Sequence, residues 1–156
     1  MPKITPFLWF DTQAEEAANF YVSIFKNSKI TSVSRYGEAG PGKPGSVMVV
    51  AFDLDGTAFS AINGGPHYQI NGGISFVIDC KDQAEVDWFW DKLGDGGQIH
   101  QCAWLTDKFG VTWQVVPEAL PRLLADPDKA KANRVMGAML KMKKIVVADL
   151  EAAAAG

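Results

Sequence analysis

Short apolar runs and amphipathic stretches alternate along this chain in an order that repeats. Phe7-Leu8-Trp9-Phe10 reads as a strand, and Gln13-Ala14-Glu15-Glu16-Ala17-Ala18-Asn19-Phe20-Tyr21 reads as the helix after it. Further on, Ile74-Ser75-Phe76-Val77-Ile78 leads into Gln83-Ala84-Glu85-Val86-Asp87-Trp88-Phe89-Trp90 in the same way. Both helices open Gln-Ala-Glu and carry paired aromatics about two turns in, so Gln13 aligns with Gln83. Similarity of this kind at a fixed offset predicts a duplicated module. Strands are predicted after each helix: Lys29 to Tyr36, Val47 to Leu54 and Thr57 to Ile62 in the first half, Gln98 to Leu105 and Val111 to Val116 in the second. Asp55-Gly56 marks a tight hairpin between the second and third of these. Gly64-Gly65-Pro66 and Asn71-Gly72-Gly73 mark the junction between halves.

The end of the chain changes period. Asp126-Pro127-Asp128 is a helix-start signal, because carboxylates favour the positive end of a helix dipole. Val135, Met139, Met142, Val146 and Leu150 then form one apolar stripe at helical spacing. That stripe docks on the parent sheet or packs against a second subunit, and a dimer role is the expectation. Lys129, Lys131, Arg134, Lys141, Lys143 and Lys144 decorate the other faces and read as a solvated helix surface.

Composition narrows the class. The chain has 156 residues, 47% apolar and 21% charged, which is globular composition with room for a full core. Its net charge of -3 offers no general attraction to nucleic acid or anionic membrane. Cys80 and Cys102 are the only cysteines and read as free thiols of a reducing cytosol. No apolar run approaches a membrane span and the first residues lack a signal-peptide pattern, so a cytoplasmic protein is expected.

Candidate chemistry is sparse. Gly37-Glu38-Ala39-Gly40-Pro41-Gly42-Lys43-Pro44 imitates the start of a phosphate-binding loop, but Pro44 stands where a Ser or Thr hydroxyl would meet magnesium. A β-branched strand follows it instead of the required helix, so it reads as a loop between strands that could fold over a pocket mouth. No Gly-x-Gly-x-x-Gly follows a strand, and no nucleophile elbow or His-Glu-x-x-His pair is present. His100 and Cys102, two apart on a predicted strand, share a face; a structural buried cysteine is favoured over an activated thiol. His67, between Pro66 and Tyr68, reads as a surface histidine.

The most specific stretch is Gln101-Cys102-Ala103-Trp104-Leu105-Thr106-Asp107-Lys108-Phe109-Gly110-Val111-Thr112-Trp113-Gln114-Val115-Val116-Pro117, two strands around an Asp-Lys-Phe-Gly turn. Together with Leu8-Trp9-Phe10-Asp11, Ala14-Glu15-Glu16-Ala17, Phe20-Tyr21, Asn63-Gly64-Gly65-Pro66 and Ile74-Ser75-Phe76, it resembles the PhnB-like proteins. That family also carries a 3-demethylubiquinone 3-methyltransferase label and belongs to the glyoxalase / vicinal-oxygen-chelate superfamily. The resemblance implies an α+β fold: two βαβββ modules forming a cup-shaped mixed sheet, with helices outside and a C-terminal helix. The implied layout is a single domain over 1–156, with modules at about 3–63 and 73–117, an extension over about 118–156, and assembly as a homodimer.

Superfamily enzymes hold a divalent metal in the cup on His or Glu ligands from four strands. Carried over, those positions fall near Thr5, at the end of the Thr57 to Asn63 strand, at Gly73 and at Gln114. None offers an imidazole or a carboxylate, so the resemblance implies a lost metal site. The same mapping turns Thr5, Phe7, Trp9, Ser75, Val77, Thr112, Gln114 and Val116 into the cup. Candidate ligand-binding residues are therefore Thr5, Phe7, Trp9, Asn63, Ser75, Cys102, Trp104 and Gln114, with no catalytic residue assigned. The expected function is a metal-free small-molecule-binding protein, without a resident cofactor and of unassigned activity. One alternative is a methyltransferase acting on a demethylubiquinone-like phenol with S-adenosylmethionine. The other is a metal-dependent isomerase or dioxygenase that uses His67, His100 or water in place of the lost ligands.

Overall fold

A computed structural model describes residues 3–156 as two compact units, 3–70 and 71–156. In the first, β1 (Phe7–Phe10) leads into α1 (Ala14–Ile24), followed by β2 (Lys29–Arg35), β3 (Val47–Leu54) and β4 (Thr57–Asn63). The sheet order is β1-β4-β3-β2, with β1 parallel to β4 and the other pairs antiparallel. Asp55 and Gly56 both take positive φ, 44° and 91°, as a two-residue turn that follows strand twist requires.

Helix α1 forms because Ala14, Ala17, Ala18, Tyr21 and Ile24 recur on one face, and that face is buried against the sheet. Glu15 and Glu16 stand in its first turn, where the dipole favours negative charge. Phe52 stacks between Tyr21 and Phe59 at centroid distances of 6.2 and 5.5 Å and forms the centre of this core. Strand alternation then leaves Phe7 and Trp9 on the face away from α1, while Leu8 and Phe10 are buried beneath it.

The second unit repeats the scheme. It runs β5 (Ser75–Cys80), α2 (Gln83–Gly94), β6 (Gln98–Ile99), β7 (Trp104–Thr106) and β8 (Thr112–Pro117), with sheet order β5-β8-β7-β6. Asp82 caps α2 by accepting from the Glu85 N–H at 3.0 Å, and Glu85 accepts from the Lys81 N–H at 2.7 Å. Val86, Phe89, Trp90 and Leu93 are buried. Trp88 points away with the Lys92 ammonium 4.9 Å from its ring centroid, so the three adjacent aromatics do split between faces.

Two expectations need correction here. The predicted strand from Gln98 to Leu105 is two strands, β6 and β7, paired antiparallel to each other through Gln98↔Thr106 and Ile99↔Leu105. The chain reverses at Gln101–Ala103, where Cys102 and Ala103 take positive φ of 56° and 78°. His100 and Cys102 therefore share no strand face. No Gly or Asn-Gly signals this turn, which is why the periodicity missed it. The turn holds because the N–H groups of Cys102 and Ala103 each donate at 2.9 Å to the carbonyls of Met142 and Lys143.

The second correction concerns the extension. It is not one long helix but α3 (Ala119–Leu124), α4 (Lys129–Met139) and α5 (Val147–Ala155). The Asp128 cap is where the sequence places it, accepting from the Ala130 and Lys131 N–H groups. Most of the stripe is used inside the unit: Val135 and Leu150 are fully buried with Ile145, Ala103, Leu120 and Leu123, and Met139 and Met142 pack against them, while Val146 is half-buried. Gln83 ties α2 to this extension, donating to Ile145 O at 3.0 Å and accepting from Val147 N–H at 2.8 Å. Gln83 first, and then Lys144, hold the Asp87 carboxyl below its ordinary pKa. Among the described residues no helix is long and apolar enough to cross a membrane.

Candidate functional site

The first unit contains a cavity of about 680 Å³ at the C-terminal ends of β1 and β4. Its walls come from Asp11 and Thr12, from Glu15 and Glu16 of α1, from the segment between β2 and β3, and from Asn63 to His67. Asn63 organises these parts. Its Oδ1 accepts from the Ala14 N–H at 2.7 Å, capping α1, and its Nδ2 donates to Val47 O at 3.2 Å. The Tyr36 hydroxyl donates to the Asn63 carbonyl. One side chain and its backbone thus join the helix start, the loop base and the end of β4.

Glycine spacing explains why the walls fit. A Cβ on Gly42 would overlap the Tyr36 ring, and one on Gly64 would overlap the Trp9 indole. The Gly37 to Gly45 loop can therefore wrap Tyr36, and it is pinched at its base by Tyr36 N–H to Ser46 O (2.9 Å) and Gly45 N–H to Tyr36 O (2.8 Å). Trp9 donates its indole N–H to Gly65 O at 2.9 Å and meets Tyr68 edge-on at 4.9 Å. The loop that mimics a phosphate-binding motif is followed by β3, not by a helix. It lines the cavity through Pro41, Gly42 and Lys43.

The second unit brings another group together on the sheet face away from α2. Gln114 donates to Ser75 Oγ at 2.9 Å, and Trp104 is the register partner of Gln114. His100 Nε2 lies 2.9 Å from Thr106 Oγ1, which lies 3.0 Å from Thr112 Oγ1. Val77 on this face is 55% exposed, so the face is apolar and open beside its polar groups.

The candidate residues thus fall in three places. Asn63 lines the cavity, while Phe7, Trp9 and the exposed Thr5 lie on or before β1 of the same unit. Ser75, Trp104 and Gln114 share the open face of the second sheet. Cys102 stands apart from both: it lies in the reversal, and its Sγ is 3.7 Å from Met139 O. Asp11, Glu15, Glu16 and Tyr36 were missed as site residues, and His67 was singled out only under the metal-dependent alternative; the Gly-rich loop, read as a cover for a pocket, was the signal that could have led to them.

The four positions mapped to metal ligands do not fit a metal. Thr5 is a hydroxyl, Gly73 has no side chain, Asn63 is committed to the backbone and Gln114 to Ser75. Among the described residues no group of three or more His, Cys, Asp or Glu side chains is arranged to hold a metal ion.

Two strand–helix–strand units with parallel outer pairs, β1–β4 and β5–β8, make this an α+β protein of duplicated plan. Residues 2–116 match the 3-demethylubiquinone-9 3-methyltransferase family. A putative 3-demethylubiquinone-9 3-methyltransferase, PhnB protein, from Bacillus cereus is 38% identical, with a TM-score of 0.68 over 74% of this chain and 99% of that one. The chain belongs to this PhnB-like family. A Pseudomonas aeruginosa protein shares the fold at 22% identity, with a TM-score of 0.64 over 76% of this chain and 98% of that one. A fosfomycin resistance protein from Mesorhizobium loti shares it at 11% identity, with a TM-score of 0.59 over 80% and 98%. No curated protein matches the chain. Residues after 116, which include the helical extension, lie outside the family match.

Proposed function

We propose that this protein binds a small organic molecule, without a resident metal, as a cytoplasmic homodimer. The observation that carries the reading is the cavity of about 680 Å³ around Asn63. Ligand pockets typically enclose roughly 300–1,000 Å³ and combine apolar walls with a few convergent polar groups. Tyr36, Val47 and Pro66 supply apolar surface here, and Asp11, Glu15, Glu16 and Lys43 supply polar and charged anchors. Ser75, Trp104 and Gln114, with Phe7 and Trp9, add sheet faces of the same mixed character.

The test is native mass spectrometry of protein purified without chelator, followed by a fragment screen. A stoichiometric organic adduct, or fragments whose binding weakens in Trp9→Ala and Gly42→Ala, is the expected result. Gly42→Ala drives a methyl into the Tyr36 ring, so the ring or the loop must shift and the cavity wall with it. Fragment binding that both substitutions leave unchanged would remove the first unit as the site.

A second reading is methyl transfer to a quinone-like phenol, favoured by the description of the family the chain matches. The usual Gly-rich cofactor fingerprint is missing from the sequence. Saturable S-adenosylmethionine binding in a calorimeter would promote this reading, and a flat titration would end it.

A further inference from the structure

The cavity around Asn63 has walls of unequal charge. Asp11, Glu15 and Glu16 line it, and Lys43 is the one lysine or arginine among its lining residues. Among the described residues none of these four side chains forms an ion pair. Elsewhere the chain answers such charges itself: Asp126 meets Lys131 and Asp87 meets Lys144, each at 3.0 Å. At the cavity, three negative charges stand against one positive with no partner drawn from the chain.

The other polar groups of the wall are spent on the fold. The Asn63 amide is divided between the Ala14 N–H and Val47 O, and the Tyr36 hydroxyl is given to Asn63 O. What the wall still offers a ligand is chiefly carboxylate oxygen. The start of α1 lies at the same wall, and its dipole by itself would favour an anion. That pull is the weaker one. A helix end is worth about half a positive charge, less than either Glu15 or Glu16 in the first turn, and the Ala14 N–H is already capped at 2.7 Å.

We propose that this cavity selects an organic cation, a primary amine on an apolar body, drawn by Asp11, Glu15 and Glu16. An ammonium carries three donors and no acceptor, the complement of carboxylate oxygens. Tyr36, Val47 and Pro66 give its apolar body surface to cover. A concave wall of one sign concentrates its field on the space it encloses, so the preference exceeds that of the same charges on a flat surface. Lys43, on the loop between β2 and β3, offsets part of this field. The inference rests on the small-molecule reading of the same cavity and adds the charge class of the ligand.

Three probes of one shape test it on the full chain: 2-naphthylmethylamine, 2-naphthalenemethanol and 2-naphthoate. Nitrogen-15 NMR follows the Asn63 side-chain amide, which lines the cavity, and the Trp9 indole, which donates to the lining residue Gly65. The amine should move both resonances saturably and bind about tenfold or more tightly than the naphthoate, with the alcohol between them. Added salt should weaken the amine and leave the alcohol unchanged. Glu16→Gln should weaken the amine about two- to fivefold, and Lys43→Gln should strengthen it by a similar factor. Both residues are exposed, so neither substitution disturbs the core. Equal affinity for amine and alcohol overturns the charge selection and leaves the cavity standing as a ligand site. So do two substitutions that shift the amine in the same direction or not at all. No saturable shift of either resonance with any probe removes the cavity as a ligand site, and the charge class with it.

Discussion

The two units carry the same strand–helix–strand scheme but stabilise it differently. In the first, β2, β3 and β4 run seven, eight and seven residues, and the sheet is stitched by long backbone ladders. In the second, β6 and β7 shrink to two and three residues. What the second unit lacks in ladder it gains from side chains and from the extension: Asp107 within the β7–β8 turn, and α3 to α5 packed under Ala103. One topology therefore tolerates a shortened edge when other donors and acceptors replace the missing backbone pairs.

This contrast predicts that the second unit has the more concentrated weak points. Asp107 is 3% exposed and accepts from the Phe109 N–H (2.8 Å), the Val111 N–H (3.1 Å) and the Trp113 indole N–H (2.9 Å). Asp107→Ala strips an acceptor from three buried donors, at a cost of about 3 kcal/mol or more. Denaturant unfolding followed by Trp fluorescence measures it. A loss under about 1 kcal/mol would mean that the turn is held by its backbone alone.

The first unit should give way less at any single residue. Gly64→Ala forces a methyl against the Trp9 indole, and overpacking of this kind costs about 1–3 kcal/mol. It should also break the Trp9 bond to Gly65 O, visible as a shift of the indole proton resonance. An unmoved Trp9 resonance would show that β4 has slack the close approach does not suggest.

The smallest effect separates the units by thiol chemistry, since both cysteines lie in the second. Burial first, then the nearby Glu85, Asp79 and Asp82 carboxylates, push the Cys80 thiol up to about 12. The folded pKa lies above the ordinary thiol value of 9.0, so this thiol costs no stability below pH 9. Stability then falls as pH rises from there toward about 12, because the unfolded chain releases its proton first. A thiol reagent at pH 8 should label the half-buried Cys102 well before Cys80. Equal labelling would mean that β5 opens locally.

Much of this was legible in the chain. The duplicated module, the Asp55-Gly56 hairpin and the Asp128 cap are local signals written in adjacent residues, and they appear where the patterns place them. The inward and outward sides of β1, β5 and β8 follow from period-two alternation alone. The reversal at Gln101–Ala103 was not legible, because its support comes from Met142 and Lys143, some forty residues away in sequence. The stripe from Val135 to Leu150 was read as one helix because spacing carries no information about a break that the packing itself rewards.

The candidate site divides along the same line. Asn63, Trp9, Ser75 and Gln114 could be singled out as residue types in a recognisable pattern. Their partners could not: Asn63 meets Ala14 and Val47, Gln114 meets Ser75, and His100 meets Thr106 rather than Cys102. Sequence by itself determined most of the elements, their order and the faces they present, because those depend on propensity and periodicity over a few residues. Only the tertiary structure decided where a cavity opens and which polar groups touch, because hydrogen bonds and close packing join residues that the chain keeps far apart.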